Sequence, residues 1–248
     1  MIHAGLWPTV QVPREEGQGI PRFETIFFDV GDTLIYASAS TPALFDRLIA
    51  DLRLGIDLAA YTTAHEEVAR VFSPRVYDYL GRRQEFWMDF NRRLLAKVGI
   101  DPKDHLARAI NEWFQAVEPE VLHAFPESAE ALEELAKDFR LGVISNATEE
   151  LTDRLERLGL RRYFASITFS QEARAEKPDP AVFRLALQRA GSRPEEAVHV
   201  GNDYEADVVG ARGVGMLPVL IDRSDAFPEA DCLRIRTLKE LIPLLQRL

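Results

Sequence analysis

Short apolar runs that read as strands and amphipathic stretches that read as helices alternate along this chain from Phe23 onward, and that rhythm limits its fold more than any other feature. The first run, FETIFFDV (23–30), is strand-prone and almost unbroken in its apolar character until it ends in the turn-forming GDT. Four more follow: RLGVISN (140–146), ASITFS (165–170), EAVHVGND (196–203) and LPVLID (217–222). Runs apolar on both faces belong to strands covered by helices above and below. Helices fit between them at SAEALEELAKD (128–138), EELTDRLERLG (149–159), DPAVFRLALQRAG (179–191) and ADVVGARGVG (206–215). Gly159, Gly191 and Gly215 close three of these segments as C-terminal caps would. The alternation predicts right-handed βαβ crossovers and an α/β fold with a doubly wound parallel sheet, whose ligands bind at the carboxyl ends of the strands. The closing stretch TLKELIPLLQRL is amphipathic and is expected to pack on the sheet.

From about residue 37 to 120 the rhythm breaks and only helical periodicity remains, as in TPALFDRLIADL, AAYTTAHEEVARVF, RQEFWMDFNRRLLAKVG and HLARAINEWFQAV. We read 37–120 as an all-helical insert in a core made of 23–36 and 121–248. Phe72, Phe86, Trp87, Phe90, Trp113 and Phe114 recur at helical spacing and are expected to form the insert's own core rather than a cage for a substrate. Residues 1–22, rich in Pro, Gly and Glu without either periodicity, are expected to form a tail on or off the domain.

Composition narrows the function classes. At 248 residues and 46% hydrophobic content the chain can bury a full core. Its apolar runs stop well short of the roughly 20 residues of a membrane span, and no apolar region follows a basic start at the N-terminus, so we expect a cytoplasmic protein with no membrane association. The single cysteine, Cys232, allows no internal disulfide. A formal net charge of -10 repels polyanions on average, so no nucleic-acid partner is expected.

Four groups of residues carry chemistry, each at the carboxyl end of a different run. Asp29, Asp32 and Thr33 in FFDVGDTL place carboxylates beside a tight turn, although turn aspartates often only bond the local backbone. Ser145 and Asn146 in GVISNA set a hydroxyl and backbone N–H groups ahead of a helix, where phosphate oxygens bind and where N-caps also sit. Lys177 in EKPDPAVF supplies a compact cation on a proline-stiffened loop. HVGNDYEADVVGA turns through Gly201 and delivers Asn202, Asp203 and Asp207 to the same edge, where clustered acidic groups call for a cation such as Mg²⁺. His65, His105 and His123 lack metal-ligand spacing and read as surface or packing residues.

In order and placement, FFDVGDTL, ISN, EKPDP and VGNDYEAD resemble the four motifs of the haloacid dehalogenase-like hydrolase superfamily, over about residues 23 to 222. The segment 37–120 is similar in position and character to that family's helical cap. The resemblance implies a Rossmann-like core and a Mg²⁺-dependent phosphatase acting on a small phosphorylated metabolite. It makes Asp29 the nucleophile that becomes an aspartyl phosphate. It has Thr33, Ser145, Asn146 and Lys177 hold the phosphoryl group, with Lys177 also offsetting charge near Asp29. It assigns the metal to Asp29, the Gly31 backbone carbonyl and an acidic side chain of the fourth motif, Asp203 or Asp207.

Two positions depart from the pattern. Gly31 stands where the family's phosphatases carry a second aspartate that protonates the leaving group, and Asp32 comes one residue too late. Loss of general acid–base catalysis, typically worth about 10²–10⁴-fold, predicts slow turnover of alkyl phosphates. Asn202 stands where a metal-binding aspartate is usual, so either Asp203 supplies the carboxylate or magnesium binds weakly. Two other readings remain beside the phosphatase: a non-catalytic protein that binds a phosphometabolite or a partner in the same pocket, and a 2-haloacid dehalogenase, with Arg47 or Arg53 as candidate halide-binding residues.

Overall fold

The structure is a computed structural model that describes residues 23–248; the tail expected over 1–22 lies outside the described residues. The chain begins with β1 (Thr25–Phe28) and β2 (Ile35–Ala37), then enters four helices, α1 (Thr41–Asp51), α2 (Leu58–Phe72), α3 (Arg83–Lys97) and α4 (Asp104–Val121). It returns through β3 (Leu122–Ala124), and the alternation starts with α5 (Ser128–Leu135), β4 (Arg140–Ser145) and α6 (Glu150–Arg157). Next come β5 (Ser166–Phe169), the short α7 (Ser170–Ala173), α8 (Pro180–Ala190) and β6 (Ala197–Gly201). A π-helical turn over Tyr204–Val209 runs into α9 (Gly210–Val214), and β7 (Leu217–Ile221), β8 (Leu233–Ile235) and α10 (Leu241–Leu245) complete the chain.

Six strands form one parallel sheet in the order β5-β4-β1-β6-β7-β8. The chain winds outward from β1 through β4 to β5, then returns to the other side of β1 for β6. This reversal opens a crevice above the carboxyl end of β1, where doubly wound sheets bind ligands. The unbroken apolar character of β1 follows from its two covered faces. Ile26 and Phe28 point into a cluster with Leu132 of α5, Leu155 of α6 and Leu241 of α10, whereas Phe27 points into the opposite cluster with Phe183 of α8 and Ala211 of α9. Gly159, Gly191 and Gly215 take left-handed φ values of 70°, 60° and 89° at the helix ends, as expected of C-caps.

Some elements differ from the sequence reading. The helix read over 128–138 stops at Leu135, and the one read over 206–215 is a π-helical turn followed by α9. β8 and the antiparallel pair β2–β3, in which Tyr36 faces His123, were not foreseen, because three residues each give periodicity nothing to act on. The helices α1–α4 gather a cluster of their own around Phe45, Tyr61, Phe72, Phe90 and Ile110. No helix among the described residues is long and apolar enough to cross a membrane.

Candidate active site

Asp29 directly follows the central strand, its N–H bonded to the Val200 carbonyl at 2.8 Å, which holds its carboxylate at the crevice. Beyond it the chain turns tightly: the Leu34 and Ile35 N–H groups both donate to the Val30 carbonyl, at 2.9 and 3.0 Å, and Asp32 takes a left-handed φ of 53°. The turn is braced from outside, since Ser128 Oγ donates to the Leu34 carbonyl at 2.8 Å and Arg223 to the Thr33 carbonyl at 2.8 Å.

Residues more than a hundred positions apart meet on Asp29. Ser145 Oγ, from the end of β4, donates to Asp29 Oδ1 at 3.1 Å, and Lys177 Nζ, from the loop before α8, donates to the same oxygen at 2.7 Å. Lys177 Nζ also donates to Asp207 Oδ1 at 2.5 Å. Asp207 also accepts from His199 Nε2 on Oδ1 at 2.8 Å and from the Asp203 N–H on Oδ2 at 3.0 Å. Asp29, Lys177, His199 and Asp207 are all buried. Burial raises the Asp29 carboxyl above its ordinary pKa against the pull of the Lys177 ammonium. Burial works the same way on Asp207, but there the His199 hydrogen bond and the Lys177 charge prevail and hold the carboxyl well below the usual range. Desolvation would lower Lys177, yet the two carboxylates raise it, so it stays an ammonium. Gly201 makes the arrangement possible, because a Cβ there would lie 2.1 Å from Asp207 Cγ.

Several expected site residues prove to position others. Thr33 is fully buried and its hydroxyl donates to Asn202 Oδ1 at 3.2 Å, tying the first loop to the fourth instead of facing a phosphoryl group. The Asn146 amide brackets Lys177, accepting from its N–H at 2.7 Å and donating to its carbonyl at 3.1 Å, so this side chain orients the lysine loop rather than a phosphate. Asp203 is exposed and its Oδ1 caps the π-helical turn, accepting from the Ala206 N–H at 2.8 Å. Asp207 thus takes three contacts inside the protein, whereas Asp203 gives one oxygen to the turn and its Oδ2 takes no protein hydrogen bond. His199 was missed; a histidine in the apolar run AVHVG, eight residues before Asp207, was the available signal.

Among the described residues no three His, Cys, Asp or Glu side chains group as a metal site. Oxygen donors at the crevice include the second oxygen of Asp29, which takes no protein hydrogen bond, the Gly31 carbonyl and the neutral Asn202 Oδ1, which also accepts from Thr33. These are hard donors of the type Mg²⁺ takes, with less charge than a carboxylate set.

A cavity of about 510 Å³ lies between the strand ends and the four helices, with Gly31, Ser145 and Asn146 among its walls. Phe90, Trp87 and Phe114 also line it, which corrects the expectation that the insert's aromatics serve its core alone; Phe72, Phe86 and Trp113 do stay in that core. His65 packs between Phe45 and Phe90, with ring centroids at 4.7 and 5.3 Å. Neither Asp32, Arg47 nor Arg53 is a wall of the cavity; Arg47 pairs instead with Glu120 at 2.8 Å and Asp51 at 3.6 Å. On one side α6 is clasped to the helical layer: Glu150 pairs with Arg83 at 2.7 Å and Arg154 at 3.0 Å and accepts from Trp87 Nε1 at 2.8 Å, while Glu118 pairs with Arg154 and Arg157.

Comparison with known proteins agrees with this architecture. The family model for haloacid dehalogenase-like hydrolases matches residues 23–215. The chain belongs to that family. It is 30% identical, over 84% of its own length and 89% of the relative's, to a glyceraldehyde 3-phosphate phosphatase of Methanothermobacter thermautotrophicus. Among solved structures, a 2-haloacid dehalogenase from Pseudomonas syringae superposes with a TM-score of 0.72 at 28% identity, covering 91% of this chain and 99% of that one. A haloacid dehalogenase-family phosphatase from Thermococcus onnurineus gives 0.62 at 27% identity, covering 90% and 98%. The family is one of hydrolases, and its α/β core with a helical layer is the fold described above.

Proposed function

We propose that this hydrolase cleaves a small phosphomonoester through a covalent aspartyl phosphate on Asp29, with Mg²⁺ as cofactor. The observation that carries the reading is the convergence of Ser145 Oγ and Lys177 Nζ on one oxygen of Asp29, at 3.1 and 2.7 Å, at the end of the central strand. Similarity to relatives named as phosphatases supports it.

In the first step a carboxylate oxygen of Asp29 bonds to phosphorus while the ester P–O bond breaks, and the departing alkoxide takes a proton from water. Ser145 and Lys177 donate to the transferring oxygens, and the Asn146 bracket keeps Lys177 aimed. In the second step water attacks the phosphoryl group, phosphate leaves and the Asp29 carboxylate is restored. Asp29, the Gly31 carbonyl and Asn202 would hold the magnesium, which supplies positive charge against the charge that develops on the phosphoryl oxygens. With a neutral amide at 202, binding is weaker than a carboxylate would give. No side chain at 31 can protonate the leaving group, so turnover favours substrates whose alcohol departs readily. In this reading residues 37–120 act as the cap that encloses the substrate over a core of 23–36 and 121–248.

The test is magnesium-dependent release of phosphate from p-nitrophenyl phosphate, which Asp29→Asn should reduce by roughly 10³-fold or more. Absence of release from the unmodified protein would overturn the phosphatase reading, and an undiminished rate in the variant would overturn Asp29 as its nucleophile. The likeness to a 2-haloacid dehalogenase gives a second reading. Against it, Arg47 and Arg53 lie off the cavity; chloride release from 2-chloropropionate without magnesium would revive it.

A further inference from the structure

The cavity reaches the site at Gly31, Ser145 and Asn146, although Asp29 and Lys177 are not themselves walls, and it is larger than a phosphoryl group needs, so its walls decide which alcohol can occupy it. Gly31 and Ser145 belong both to these walls and to the surroundings of Asp29, and an ester bound for attack on phosphorus directs its organic half into this space. The walls facing that half are aromatic, with Trp87 and Phe90 on α3 and Phe114 on α4. Asn111 and Gln115 share a face of α4 with Phe114, at helical spacing, and neither amide has a hydrogen-bond partner within the protein among the described residues.

The charged walls are already committed. Arg83 is held by Glu150 at 2.7 Å and by Asp153 at 3.2 Å, and Arg154 by Glu150 at 3.0 Å and by Glu118. Glu150 and Glu118 are themselves walls, so the two arginines bring no net positive charge to the space. Burial lowers the pKa of His65, which therefore adds no cation at neutral pH. A second phosphate or a carboxylate on the substrate would be desolvated here without a free cation to meet it. A flat neutral ring meets aromatic faces on which to stack and two amides for its polar edge.

We infer that this chamber selects phosphomonoesters of uncharged, ring-bearing alcohols that carry hydrogen-bonding groups, such as nucleosides or substituted aryl alcohols, and disfavours esters with a second anionic group. This rests on the phosphatase reading for its use in catalysis, but the binding it asserts does not. The experiment therefore has two arms. In the first, kcat/KM is measured for uridine 5′-monophosphate, adenosine 5′-monophosphate, benzyl phosphate, glyceraldehyde 3-phosphate and fructose 1,6-bisphosphate. At least one ring-bearing monoester should exceed both the open-chain ester and the bisphosphate by tenfold or more, the nucleotides against benzyl phosphate reporting which source of ring is taken. Phe114→Ala and Asn111→Leu should raise KM for the preferred ester about tenfold with kcat changed less than threefold, and Glu150→Gln, which loosens both arginines, should move the preference toward the bisphosphate by fivefold or more.

In the second arm the matching alcohols, uridine, adenosine and benzyl alcohol, are titrated against tryptophan fluorescence, with Trp87→Phe assigning the signal. Saturable quenching that vanishes in the variant supports the chamber even if no ester turns over, in which case the phosphatase reading alone has failed. Preference for the bisphosphate or the open-chain ester, or no binding of any ring alcohol, overturns the inference while leaving hydrolysis at Asp29 intact.

Discussion

On the proposed mechanism, replacing Gly31 by Asp should raise the hydrolysis of alkyl phosphates, and the structure allows the size of the gain to be worked out. A Cβ at position 31 meets no heavy atom within 4 Å, and Gly31 lies outside the left-handed φ region, so the new side chain enters without strain. It also enters at the cavity wall. Asp29 carries a charge of the same sign; taking about 6 Å between the two carboxylates and an effective dielectric of about 20, the repulsion is roughly 2.8 kcal/mol, or about two pKa units. That shift keeps the added carboxyl protonated to about pH 6, where it can donate to an alkoxide. Because Lys177 already serves Asp29 and Asp207, it cannot neutralise a third carboxylate fully, and we take the low end of general acid catalysis, about 10²-fold or about 2.7 kcal/mol. Initial rates on ethyl phosphate and on p-nitrophenyl phosphate, with Mg²⁺, make the comparison. The alkyl ester should gain about 10²-fold and the aryl ester, whose alcohol needs little protonation, less than about threefold. Equal gains on both, or none on the alkyl ester in a variant that keeps the parent's circular dichroism and melting temperature, would refute the account.

Lys177→Met should destabilise the fold by about 3–5 kcal/mol in urea unfolding, because it leaves the buried Asp29 and Asp207 carboxylates without their shared cation; a loss below about 1 kcal/mol would show that the pair is not held in this way. Asp222, buried after β7, accepts from the Ala226 and Phe227 N–H groups at 2.8 and 2.9 Å and from Arg234 at 2.9 Å. Burial tends to raise its pKa, but these donors prevail and lower it. A carboxyl lowered on folding stabilises the protein at neutral pH, and that contribution fades as the pH falls through the folded value. Asp222→Asn should therefore cost about 1–3 kcal/mol at pH 7 and flatten the acid limb of a stability profile below about pH 4; a limb as steep as the parent's would contradict this.

The strands that mattered most were legible because they are buried on both faces: FETIFFDV and EAVHVGND are apolar enough to stand out, and their ends locate Asp29 and the segment that leads into Asp207. What was not legible turns on single peptide units. Asn202 and Asp203 are neighbours, yet one bonds to Thr33 and the other caps a helical turn, and no pattern of residue types distinguishes those directions. Asn146 and Thr33 carry the chemistry of anion ligands but are spent on Lys177 and Asn202, a distinction that depends on partners 31 and 169 residues away. The Arg83, Glu150 and Arg154 clasp joins α3 to α6 across a similar gap, and in sequence each of its members reads as an ordinary surface charge.

The three-residue strands β2 and β3 lie side by side and antiparallel, so the polypeptide leaves for the helical layer and comes back through two doors roughly 5 Å apart. A segment whose two ends are neighbours can be lengthened, shortened or exchanged for another without rethreading the sheet beneath it. Substrate preference in such a scaffold can change wholesale, by swapping one contiguous stretch of gene, while the carboxylate, hydroxyl and ammonium that meet at Asp29 stay where the parallel strands deliver them.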